Sequence, residues 1–231
     1  MKLHVRAWGE GERVVVLIHG TATDSRTWHR VAPRIASSGH RVVAVDLRGH
    51  GLSPRGDYSL RALADDLVEA LPSRPEVVLG HSMGGALLAL AVEALRPQRA
   101  VYAEPYWNVR AVTAPPAMDG FQRFKRMTAE QIASHNPRWS ADDVQAELAA
   151  RACWDPRSLA DLLKYDMPAP PTRRDGSDVV LLAERPMVPL DVDALRENGY
   201  EVTTIPNAGH NLYHDNLPCF LDALTPVLRA L

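Results

Sequence analysis

Cysteine is scarce in this chain: Cys153 and Cys219 are the only two, and neither stands in a C-x-x-C pair or beside histidines at metal-ligand spacing. A disulfide framework and a cysteine-based metal site are therefore not expected, and Cys153, flanked by Ala152 and Trp154, reads as a packing residue near the substrate region. No apolar run approaches the length that spans a bilayer, and the first residues lack the apolar core of a signal peptide, so a soluble cytoplasmic protein with no membrane partner is expected. The formal net charge is only −2, and Lys and Arg are scattered, which leaves no basic stripe for nucleic acid. No G-x-G-x-x-G follows a strand-like segment, so no nucleotide or flavin site is expected; with no metal motif either, the chain reads as free of cofactors. The remaining partner class is a small molecule. Oligomeric state is left open.

At 231 residues the chain can bury one sizeable core, and no Pro/Ser/Gly-rich linker divides it. Strand-like segments at 14–18, 41–45, 77–79, 99–103, 179–183 and 202–205 alternate with helical ones near 26–38, 60–71, 84–96, 191–198 and 215–230. Such alternation predicts a mainly parallel sheet covered by helices on both faces. Lys2 to Trp8 adds an antiparallel edge strand. Ser59 is placed as an N-cap, with Leu60, Leu63, Leu67, Val68 and Leu71 repeating after it at helical spacing.

The most informative motif is Gly80-His81-Ser82-Met83-Gly84, which follows the apolar run Val77-Val78-Leu79 and precedes a helix-forming stretch from Ala86. A G-x-S-x-G sequence between a strand and a helix puts its serine on a sharp turn, with glycines where a Cβ would press on neighbouring backbone; Ser82 is the candidate nucleophile. Val14-Val15-Val16-Leu17-Ile18 ends in His19-Gly20-Thr21, where the chain can aim the Thr21 amide into a cleft. The Met83 amide, at the start of the helix after the serine, has no intrahelical partner and supplies the second half of an oxyanion hole. Val202-Thr203-Thr204-Ile205 ends in Pro206-Asn207-Ala208-Gly209-His210, which makes His210 the general base. Thr21, Ser82 and His210 all fall at the carboxyl ends of strands, where open α/β sheets bind ligands.

Together with Asp46-Leu47-Arg48-Gly49-His50-Gly51-Leu52-Ser53, these motifs resemble the α/β-hydrolase superfamily over nearly the whole chain. The resemblance implies an α/β-hydrolase fold, a core over 1–105 and 173–231, and a helical lid over 106–172. In that stretch the alternation of strands and helices stops. Helix starts appear instead at Thr128 with Gln131, Ser140 with Asp143, and Asp155 before Pro156. Met167-Pro168-Ala169-Pro170-Pro171-Thr172 then returns the chain to the sheet. The stretch is rich in aromatics, and Trp107, Trp139 and Trp154 are taken as substrate-contacting residues around a hydrophobic substrate.

A histidine base needs a carboxylate that orients it. Most members of the superfamily place that acid after the strand corresponding to 179–183, but here the loop reads Ala183-Glu184-Arg185-Pro186-Met187, without an aspartate. Ala100-Val101-Tyr102-Ala103 ends in Glu104-Pro105, beside the nucleophile strand. Lactonases similar to the zearalenone hydrolases use such a placement, so Glu104 is assigned as the acid, with Glu184 the alternative. His19, His50 and His81 read as structural. His214, four residues after His210, is not read as a metal ligand. The resemblance implies a serine hydrolase that cleaves an ester or lactone through an acyl-enzyme. Thioesterase, carbon–carbon hydrolase, lyase and slow-turnover receptor roles exist on the same scaffold.

Overall fold

The buried side chains of the strands divide by parity. Val16, Ile18, Val78, Tyr102, Val180 and Leu182 face one core, whereas Val15, Leu17, Leu79, Val101, Leu181 and Ala183 face the other. That is the period-2 pattern of a sheet covered on both sides, and it explains why these strands are apolar throughout rather than alternating. The computed structural model describes residues 1–111, 118–172 and 178–229.

Seven strands, β1 (Val5–Trp8), β2 (Arg13–Ile18), β3 (His40–Val45), β4 (Val77–His81), β5 (Arg99–Ala103), β6 (Val179–Ala183) and β7 (Glu201–Ile205), form one sheet in the order β1-β3-β2-β4-β5-β6-β7. Every pairing is parallel except that of β1, the antiparallel edge strand, with β3. The helices of the core are α1 (Ala32–Ala36), α2 (Leu60–Ala70) and α3 (Met83–Leu95). Between β5 and β6 lie α4 (Met118–Lys125), α5 (Ala129–His135), α6 (Ala141–Cys153) and α7 (Arg157–Leu162). After β6 come α8 (Val192–Glu197), α9 (Leu212–Asp215) and α10 (Leu217–Arg229). α2, α3 and α8 cover one face of the sheet; α1, α9 and α10 cover the other. The fold is that of an α/β hydrolase.

One expected helix is broken. In place of 26–38 there is a 3₁₀ turn, Ser25–Trp28, capped by the Asp24 side chain, and then α1, which restarts with Pro33 in its first turn. The helix expected near 215–230 is α10, Leu217–Arg229, which starts after Asn216, a residue whose backbone (φ −147°, ψ 73°) is not helical. Its anticipated end, Ala230, lies outside the described residues, as does the start of the second core segment at 173–177. The helix starts of the insertion occur as expected: Thr128 and Gln131, and Ser140 and Asp143, form reciprocal capping boxes. No helix among the described residues is long and apolar enough to cross a membrane.

Candidate active site

Register brings the polar residues of the site together. His81 pairs with Ala103 across β4 and β5, so the residues that follow, Ser82 and Glu104, emerge side by side at the carboxyl edge. The Ser82 N–H donates to the Ala103 carbonyl (2.9 Å), and the Glu104 N–H donates to the Leu181 carbonyl (2.8 Å). Ser82 has φ 55° and ψ −119°, and Glu104 has φ 47°; both are non-glycine residues in sparsely populated backbone, held by these flanking bonds. The glycines of the motif are required by contact. A Cβ on Gly84 would stand 2.5 Å from the His19 carbonyl oxygen, and one on Gly80 would stand 2.5 Å from the Gly84 carbonyl oxygen.

His210 lies between the two. Its Nε2 is 2.9 Å from Ser82 Oγ, and its Nδ1 is 3.4 Å from Glu104 Oε2. Glu104 is 4% exposed. Its Oε1 accepts from the Ala183 N–H (2.7 Å) and its Oε2 from the Met187 N–H (3.1 Å), so one amide at the end of β6 and one of the loop after it fix the carboxylate. Glu184 is exposed and accepts from the Asn207 N–H (3.2 Å), away from the histidine ring. The stretch that lacks the expected aspartate thus orients Glu104 with its backbone.

Thr21 and Met83 line the same cavity as Ser82 and His210, and the Thr21 hydroxyl donates to Met83 Sδ (3.4 Å), joining the two backbone segments. The neighbouring histidines brace the site. His19 Nδ1–H donates to the Gly20 carbonyl (2.7 Å) while its Nε2 accepts from the Leu47 N–H (2.9 Å), which holds the turn before Thr21. His81 Nε2–H donates to the His210 carbonyl (2.9 Å), and its Nδ1 faces the Tyr213 hydroxyl at 3.2 Å. Burial, reinforced by the adjacent His210 ring, pushes His81 well below the ordinary histidine range. His50 is pushed down to about 3 by burial and by the nearby His19 ring. Neither ring is set up to carry a proton at neutral pH.

His214 is bound to the insertion. Its Nδ1 lies 2.9 Å from Asp143 Oδ1 and its Nε2 2.9 Å from Thr27 Oγ1. Burial pushes the Asp143 carboxyl up, but hydrogen bonds from His214 and Ser140 outweigh it and hold the group well below the usual carboxylate range. Among the described residues no cluster of three or more His, Cys, Asp or Glu side chains is placed to hold a metal ion.

The cavity over Ser82 measures about 350 Å³, and its walls are mostly apolar: Ala22, Tyr106, Phe124, Leu159, Leu162, Leu163, Met167 and Met187. A wider cleft of about 450 Å³ lies at the opposite, amino edge of the sheet around Arg13, Arg34 and His40, remote from these residues. The three tryptophans singled out by sequence do not line the cavity over Ser82. Trp107 is fully buried against Tyr102 (ring centroids 4.7 Å) and Tyr200, below the site. Trp154 is fully buried, donates from Nε1 to Ser158 Oγ (2.9 Å) and packs behind the wall with Ala22 and Phe121. Trp139 stacks on His214 (4.6 Å) and donates from Nε1 to Asp215 Oδ1 (3.1 Å); Asp215 Oδ2 in turn accepts from the Gly209 N–H (2.7 Å), beside His210. Rings this large bury most area inside a core, and an indole N–H seeks a partner there, so abundance in a segment did not translate into pocket lining. Cys153 accepts from Arg26 Nη2 at 3.3 Å and is a packing residue.

Sequence reasoning missed the wall residues Glu147 and Arg151. Their signal was present: in α6 they share the buried stripe with Val144 and Ala150, where charged residues are out of place.

Comparison with known proteins agrees with this fold. The alpha/beta hydrolase family matches residues 15–218. The pimeloyl-[acyl-carrier protein] methyl ester esterase of Aeromonas hydrophila is 31% identical over 94% of this chain and 88% of its own. The polyneuridine aldehyde esterase of Rauvolfia serpentina is 36% identical over 39% of this chain; that match spans 37% of the plant enzyme's length. Among solved structures, the N-formylmaleamic acid deformylase of Pseudomonas putida S16 superposes with a TM-score of 0.73 at 25% identity, over 96% of each chain. The chain belongs to the alpha/beta hydrolase family.

Proposed function

We propose that this protein is a serine hydrolase that cleaves a carboxylic ester or lactone of a largely hydrophobic small molecule, through an acyl-enzyme on Ser82. The observation that carries this reading is the line Ser82 Oγ, His210, Glu104, with contacts of 2.9 Å and 3.4 Å, opening into an apolar cavity. Two esterases among the relatives support the ester as the bond attacked.

In the proposed reaction His210 Nε2 takes the Ser82 proton as Oγ attacks the carbonyl carbon, and the Thr21 and Met83 amides stabilise the oxyanion. Glu104 holds the ring in the tautomer with Nδ1–H and stabilises the imidazolium. His210 then gives its proton to the leaving alkoxide and activates water for deacylation. The acid after β5, rather than after β6, is the placement of lactonases similar to the zearalenone hydrolases, which keeps lactones within the substrate class. The helices between β5 and β6 act as a lid over the cavity, excluding water from the acyl-enzyme.

The test is hydrolysis of p-nitrophenyl esters and aromatic lactones by wild type, Ser82→Ala, Glu104→Gln and Glu184→Gln. Ser82→Ala is expected to lose turnover by roughly 10⁴-fold or more and Glu104→Gln by about 10²–10⁴-fold, with Glu184→Gln within about twofold of wild type. Esterase activity retained by Ser82→Ala overturns the reading. Equal losses in the two glutamate variants overturn the choice of acid.

A further inference from the structure

The apolar cavity holds one charged pair. Glu147 and Arg151, one turn apart on α6, are 9% and 5% exposed and both form part of its wall. Arg151 Nε donates to Glu147 Oε1 (2.7 Å), and Nη1 reaches the Phe124 carbonyl (3.2 Å) and Met127 Sδ (3.0 Å) while the guanidinium lies 3.9 Å over the Phe124 ring. Two groups are left over: Glu147 Oε2 and Arg151 Nη2 have no hydrogen-bond partner among the described residues. Thr23, on the same wall, carries a buried hydroxyl that also lacks a partner among the described residues.

A buried ion pair is a costly way to fill a wall that leucine or methionine fills elsewhere in the same cavity. Its cost is offset if the spare acceptor and donor meet a ligand. The pair is neutral overall, and this selects the ligand. A carboxylate drawn to Arg151 is repelled by Glu147, an ammonium drawn to Glu147 is repelled by Arg151, and both forces are strong in so apolar a space. A neutral group that donates and accepts satisfies both.

We propose that Glu147 and Arg151 form a polar subsite that takes a hydroxyl or carboxamide on the substrate, away from the scissile carbonyl. The ester is then amphiphilic: an apolar body between Ser82 and α6, ending in a neutral hydrogen-bonding group whose proton goes to Glu147 Oε2 and whose oxygen accepts from Arg151 Nη2. This rests on the serine-hydrolase reading for the position of the carbonyl but not for the existence of the subsite.

The experiment uses methyl esters of unbranched fatty acids and their ω-hydroxy, ω-carboxamide and ω-carboxylate counterparts, matched chain by chain. At the chain length that bridges the cavity, wild type is expected to favour the ω-hydroxy or ω-carboxamide ester over the methyl-terminated one by about tenfold or more in kcat/KM. The double variant Glu147→Leu/Arg151→Met, which keeps the volume apolar, should lose or reverse that ratio. Glu147→Gln, a nearly isosteric change that leaves Arg151 uncompensated, should raise the relative kcat/KM of the ω-carboxylate ester by about tenfold. A wild type that prefers the methyl-terminated ester at every length, or variants that keep the wild-type ratios, overturns the proposal. If no ester is turned over, the hydrolase reading fails. The subsite is then decided by calorimetric binding of the same hydroxy and plain esters to the wild-type protein, where equal affinities sink it.

Discussion

The carboxyl edge of the sheet and the helical insertion above it build their parts of the cavity in different ways. At the sheet edge backbone takes part in holding each polar group: Ser82 and Glu104 follow paired strand residues, amides of Ala183 and Met187 fix the Glu104 carboxylate, and the His81 ring ties His210 down through its backbone carbonyl. In the insertion the equivalent work is done by side chains. Asp143 anchors His214, Trp139 anchors Asp215, and the Glu147–Arg151 pair faces the cavity. A backbone position is inherited from strand order, whereas a side-chain position depends on which way a helix is turned. The two regions therefore differ in what a substitution does.

The largest effect of a single substitution on stability is expected at the sheet edge. Gly84→Ala puts a Cβ 2.5 Å from the His19 carbonyl oxygen and 2.6 Å from that of Ile18, both backbone atoms in β2 or its turn. A loss of about 1–3 kcal/mol is expected, read as a melting point lower by roughly 3–10 °C, together with reduced turnover because the Thr21 turn shifts. A variant that melts and turns over as wild type would show that the edge is more forgiving than its contacts.

Acid should separate the two regions. Near the sheet edge His19, His50 and His81 are held below the ordinary range by burial, so they are neutral when folded. The unfolded chain takes up their protons near pH 6.5; their contribution is complete above that pH and is lost as pH falls toward about 3 for His50, by about 1.4 kcal/mol per pH unit for each histidine. In the insertion Asp155 is raised by burial but held down to about 2 overall by hydrogen bonds from Arg157 and Tyr58. Its contribution is present above the unfolded carboxylate pKa near 4, and disappears only as pH falls from there toward about 2. Melting followed from pH 8 to pH 3 should therefore show a first decline starting near pH 6.5, flattened in His50→Asn. No decline above pH 4.5 would contradict the buried neutral histidines.

Trp107→Phe removes packing behind the cavity wall, outside its lining, and no hydrogen bond among the described residues. It should cost about 1–2 kcal/mol in denaturant unfolding and leave the ranking of ester substrates unchanged. A changed ranking would restore this tryptophan to the substrate site. The smallest effect, and of opposite sign, is expected at Gly120 in α4, where an added Cβ meets nothing nearer than Arg123 Nη2 at 3.9 Å. Gly120→Ala should stabilise by about 0.5–1 kcal/mol, in contrast to the same exchange at Gly84.

The contrast also explains which residues were legible in the one-dimensional pattern. The positions of Ser82, Met83 and Thr21 were legible because each follows an apolar run that forms a buried strand, and the residues after a parallel strand must emerge at the same edge; His210 follows β7, whose residues are mostly exposed, and was legible only from its place on the loop after that strand. The position of Glu104 at that edge was legible by the same rule. The tryptophans of the insertion were misplaced because aromatic content reports burial but not direction. Glu147 and Arg151 were passed over because an i, i+4 charge pair on a helix is usually solvated, and only the packing of α6 over Ser82 turns it inward.

By itself, then, the sequence determined the strands, their alternation with helices, the strained serine turn and the capping boxes of the insertion. All of these depend on local backbone preference and on a periodicity of two or 3.6 residues. Only the tertiary structure decided that the amides of Ala183 and Met187 hold Glu104, that Trp139 and Asp143 reach across to the histidine loop, and that a buried ion pair faces an otherwise apolar cavity. Apart from the ion pair, whose members are one helical turn apart, these contacts join residues separated by tens of positions in the chain, and strand register and helix packing, rather than neighbourhood in sequence, set their geometry.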